Sequence, residues 1–106
     1  MSESTRFFSP APGTLSCQEA FAQLGAVGDP AMSASQQATC QSIATFMAKH
    51  KFLGRVIEHT LAYKYENITG KTLSGTINWL DIIKQIISDM PTWLPVIMQI
   101  IAAFGL

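Results

Sequence analysis

Asn78-Trp79-Leu80-Asp81-Ile82-Ile83-Lys84-Gln85-Ile86-Ile87-Ser88-Asp89-Met90-Pro91-Thr92-Trp93-Leu94-Pro95-Val96-Ile97-Met98-Gln99-Ile100-Ile101-Ala102-Ala103-Phe104-Gly105-Leu106 closes the chain and decides its fold class. Asn78, with Asp81 three residues on, is a plausible helix cap, and Trp79, Leu80, Ile83, Ile86, Ile87 and Met90 then form an apolar stripe at helical spacing. Pro91 suits the first turn of a new helix and disfavours helical geometry in the residue before it, so a bend is expected near Asp89 and Met90. Beyond the bend, apolar residues surround one polar side chain in the helix body, Gln99. A helix apolar on all sides predicts burial on all sides.

Three environments could supply that burial. Met90 to Leu106 is seventeen residues without a charged side chain. As a straight helix it would measure about 25 Å against a hydrocarbon layer of ~30 Å. Pro91 and Pro95 bend or shorten it further, and no Lys or Arg flanks it closely, which argues against a transmembrane anchor. A helix lying in a membrane surface usually carries Lys and Arg on its polar face, whereas the helix from Asn78 carries Asp81, Lys84 and Asp89. Insertion into protein is the favoured reading, with subunit packing completing what a small domain cannot cover alone.

Upstream, residues 66–77 read as a turn and linker holding at most a short extended piece. Residues 16–65 read as amphipathic helices. Ser33-Ala34-Ser35-Gln36 is a capping box that opens a long helix, whose stripe runs through Cys40, Ile43, Met47, His50, Gly54, Ile57 and Leu61. Gly54 is its weak point, where the helix either ends or lets another backbone come close. Ser16-Cys17-Gln18-Glu19 is a second capping box, for a shorter helix that Gly25 is placed to end. Residues 1–15, rich in Ser, Pro and Thr, read as an extended arm. The expected architecture is an all-α bundle of three to four helices behind an N-terminal arm, with 16–106 as a single domain.

Composition fits a chain that meets something besides water. Only 13% of residues are charged, against about a quarter in ordinary soluble domains, and the mean hydropathy is positive. Seven basic residues balance seven acidic ones, so no overall field draws in nucleic acid, and none is expected as a partner. The N-terminus lacks the features of a secretory signal, which predicts a cytoplasmic protein or one held within an assembly, with membrane association as the alternative. Cys17 and Cys40 could pair across two helices or sit as two small buried residues.

No chemistry-bearing constellation stands out. Gly70-Lys71-Thr72 matches the end of a phosphate-binding loop, but Tyr65 stands where the motif needs its first glycine. His50 and His59, nine positions apart, fall on opposite faces of a continuous helix and cannot share a metal. Lys49, Lys51, Arg55 and Lys64 read as a solvated basic face. The acidic residues are scattered singly, so neither an enzyme nor a cofactor is expected. The functional expectation is a non-catalytic structural or assembly subunit, for example a minor virion or other supramolecular component, with protein subunits as partners. Its interface would be Trp79, Ile83, Ile86, Ile87, Trp93, Leu94, Ile97, Ile100, Ile101 and Phe104, with Phe7 and Phe8 anchoring the arm in a neighbour's groove. The alternative is a membrane-binding or membrane-active protein that turns residues 78–106 to lipid.

Overall fold

Two serines open the first two helices. In the computed structural model, which describes residues 8–104, Ser16 Oγ accepts the Glu19 amide N–H at 3.1 Å while the Glu19 carboxylate accepts the Ser16 amide at 2.9 Å. These bonds satisfy two amides that a helix start would leave bare and hold the Glu19 carboxyl below the ordinary range. The helix, α1, runs Cys17–Val27. Ser33 and Gln36 repeat the device at the start of α2, Ala34–Lys49.

Gly25 does not end α1, contrary to expectation; Gly28, at φ 72°, does. Gly25 instead lets α2 come close, because a Cβ there would sit 2.9 Å from the Gln41 Cα. The Gln37 side-chain amide donates to the Gly25 carbonyl at 3.0 Å and fixes the contact.

The long helix expected from Ser33 is two helices. His50, at φ −123° and ψ 86°, breaks it, and α3 runs Lys51–Thr69 before Gly70 closes it in the left-handed conformation. Gly54 lies inside α3, facing the backbone of Met47 across the break. Residues 66–69, expected in the linker, form the last turn of α3.

The described part of the arm is not a projecting segment. Phe8–Pro10 forms β1, paired in parallel with β2, Gly75–Ile77, in the register Phe8 to Gly75 and Pro10 to Ile77. The Ala11 amide donates to the Ile77 carbonyl at 2.9 Å, and Phe8 and Leu15 pack against the core. This two-stranded ribbon adds a small sheet to a mostly helical globule. The described residues hold five α-helices where three to four were expected.

Asn78 caps α4, Trp79–Gln85, by accepting the Asp81 amide. A 3-10 turn, Ile87–Asp89, leads into α5, Met90–Ala103. The two helical segments meet at 60°. At the break the Ile86 carbonyl accepts both the Asp89 amide at 3.0 Å and the buried Trp93 indole N–H at 2.8 Å. One hydrophobic cluster joins all five helices and contains both tryptophans. The last helix is not buried on every side: Met90, Trp93, Leu94, Ile97 and Ile101 face inward, while Pro91, Pro95, Gln99, Ala102 and Ala103 face solvent. Proline on the outer face leaves its missing hydrogen bond to water, which explains how Pro95 is carried inside a helix.

Candidate docking surface

The chain's own fold takes up most of the side chains expected at an interface. Trp79, Ile83, Ile86, Ile87, Trp93, Leu94, Ile97 and Ile101 are buried in the core, and Ile100 is partly buried against it. Burying a side chain of this kind stabilises by about 1.5–3 kcal/mol, and folding of the single chain has already claimed that free energy. Phe104, 59% exposed, stays on the surface. Phe8 packs edge-on against Trp79, at 6.0 Å between ring centres, and tilted against His59, at 5.2 Å, so its ring is engaged within its own chain. Phe7 lies outside the described residues.

Large apolar groups reach solvent elsewhere, chiefly on α3. Its inner face turns Gly54, Ile57, Leu61 and Tyr65 to the core, where the Tyr65 hydroxyl donates to the Gln85 side chain. Phe52 and Tyr63, 77% and 61% exposed, stand on the opposite side. At ~100° per residue they are only about 20° apart, with Val56 and His59 between them. Sequence reading followed the stripe that turned out to be the core face and passed over these two residues. A helical projection of residues 51–69 would have shown a second, aromatic stripe behind the first.

Beside this face lies an open cleft of about 410 Å³, bordered by Phe8, Ser16, Met47, Lys51, Arg55 and Glu58. Partial burial pushes the Glu58 carboxyl up, and the Arg55 guanidinium draws it part of the way back. Glu58 in turn adds to the effect of burial on Cys17, whose thiol is held well above its usual range. Cys40 is pushed up to about 11 by burial. Both cysteines are free, so the disulfide weighed from sequence is not formed.

The remaining motifs resolve into local structure. Gly70 is the cap of α3 and no helix starts at Thr72, so Gly70-Lys71-Thr72 has neither the strand before it nor the helix after it that a phosphate loop needs. His50 occupies the α2–α3 break, stacked on Phe46 at 4.3 Å. Lys49, Lys51 and Arg55 are exposed and Lys64 is half-buried. Among the described residues no group of three or more His, Cys, Asp or Glu side chains is arranged to hold a metal ion. No single described helix is long and apolar enough to cross a membrane; α4 and the segment from Ile87 to Ala103 pass that test only as a bent pair. No family model, curated protein or solved structure matches the chain.

Proposed function

We propose that this protein is a non-catalytic assembly subunit that docks an exposed helix face against other protein subunits, as a homo-oligomer or within a larger supramolecular complex such as a virion. The observation that carries the reading is the outer face of α3, where Phe52 and Tyr63 stand largely in water although the fold has an apolar core in which to place such rings. Exposed aromatic groups grouped on one rigid element are the usual anchors of protein interfaces. The low charge of the chain supports the same reading, because few ionic groups would need to be stripped of water on docking. In this proposal the C-terminal helices act indirectly: they form the core that holds α3 rigid, and among their described residues Phe104, 59% exposed, stays largely available for contact.

A second reading, in which residues 78–106 serve a membrane, draws on the bent apolar pair formed by α4 and α5. It requires the core to open, exposing Trp79 and Trp93 together with the isoleucines around them. Native mass by light scattering without detergent, run beside vesicle flotation, separates the two. A discrete oligomer that stays out of the vesicle fraction is the expected result; flotation of a chain that is monomeric in solution would reject the assembly reading.

A further inference from the structure

Gly54 is buried inside α3, where glycine weakens a helix relative to alanine, and the packing around it does not call for glycine. At Gly25 a Cβ would collide with Gln41, so the close approach of α2 explains that residue. A Cβ on Gly54 would stand in ordinary contact, 3.6 Å from the Met47 carbonyl oxygen and 3.7 Å from the Met47 Cα and Cβ. What the missing methyl group leaves is room, because Gly54 and Met47 both line the open cleft of about 410 Å³. We propose that this cleft binds a small aliphatic carboxylate, whose apolar chain lies along Met47, Gly54 and Phe8 and whose carboxylate group pairs with Lys51.

Size, charge and hydration support that class. Sites for small molecules enclose about 300–1,000 Å³ and combine apolar walls with a few polar groups, as this lining does. The charged side chains that line it are Lys51, Arg55 and Glu58. Arg55 and Glu58 act on each other, the guanidinium drawing the carboxyl down against the effect of burial. Lys51, exposed at the first position of α3, then sets the sign of the cleft. Both α1 and α3 begin at this cleft, and the positive ends of their dipoles add to the charge of Lys51. Seven residues separate Lys51 from Glu58, about 10 Å along the helix, so a carboxylate held at Lys51 is kept clear of the one negative charge in the lining. Near Glu58 water is scarce: burial pushes up both its carboxyl and the Cys17 thiol, on which Glu58 also acts. That end suits the apolar tail of the ligand.

The test is calorimetric titration of the full chain with octanoate. Saturable binding of one octanoate per chain is expected, with octanol and octylammonium at least tenfold weaker. Lys51→Glu should weaken octanoate binding by about tenfold or more. Gly54→Ala should weaken it by a similar factor, yet without ligand it should melt about 2–6 °C above the wild type, since the fold does not need the glycine. Glu58→Gln removes the like charge and should bind octanoate at least as tightly as the wild type. No octanoate binding by the wild type would overturn the proposal, as would unchanged affinity in Lys51→Glu or Gly54→Ala. Equal affinity for octylammonium, or weaker octanoate binding by Glu58→Gln, would reject an anion as the ligand. A Gly54→Ala chain that melts below the wild type would return the glycine to a packing role and overturn the argument from it. The docking face of α3 is a separate matter: failure here leaves the assembly reading in place, and a chain that stays monomeric leaves this site in place.

Discussion

The indole of Trp93 shows how much one side chain can fix. Its N–H reaches the Ile86 carbonyl in a buried setting, at the break between α4 and the 3-10 turn. Phenylalanine keeps much of the ring but removes one of the two donors to that carbonyl, which still accepts the Asp89 amide, so Trp93→Phe should lower stability by about 0.5–1.5 kcal/mol from the lost bond, with a further loss from the smaller ring, as read by urea unfolding. Glu58 makes a second prediction at this scale. Its carboxyl is raised in the folded chain, so between the ordinary carboxylate range and the raised value the native state binds more protons than the unfolded one. Stability should therefore fall as pH rises through that window. Glu58→Gln should remove this part of the slope, and matching slopes in the two proteins over the acid range would contradict the role given to burial. Residues of this kind are the least legible in sequence, because a hydrogen bond across seven positions and a half-buried carboxylate depend on neighbours that only the fold brings together.

At the scale of elements, the signals that act locally were legible. Both serine capping boxes form as the sequence predicts and Asn78 caps α4, whereas the bend expected near Asp89 and Met90 lies earlier, at Ile86, and Met90 itself is already helical. The break at His50 was hidden, because the stripe from Cys40 to Leu61 keeps helical phase across it, and periodicity registers phase without registering a change of direction. Gly25 misled for a related reason. A glycine near a helix end reads as a terminator, whereas here the absent Cβ makes room for Gln41. Gly25→Ala should accordingly push α1 and α2 apart and destabilise by about 1–3 kcal/mol despite the better helix propensity of alanine. A thermal midpoint equal to or above that of the wild type would show that the two helices can separate freely.

For the whole molecule, hydrophobic pattern reports that a surface must be covered and not what covers it. The C-terminal helices read as interface because a short chain was not expected to enclose them. The chain bends them at 60° and folds α1, α2 and α3 around their inner faces. Phe8 and Leu15, read from sequence as part of the arm, likewise pack against the core. A chain beginning at Ser16 should therefore melt at a lower temperature than the full chain, as measured by calorimetry, with Trp79 fluorescence shifted to the red. An unaltered melting curve would mean that β1 and the loop after it contribute nothing to the fold. Pairing Phe8 with Gly75 also imposes an order in time. During synthesis the first strand leaves the ribosome long before the second exists, and at ~5–20 residues per second that interval is on the order of ten seconds. Throughout it β1 has no strand to pair with, so in a crowded translating cell that segment is open to chaperones and neighbouring nascent chains, and it is sheltered only once β2 has been made.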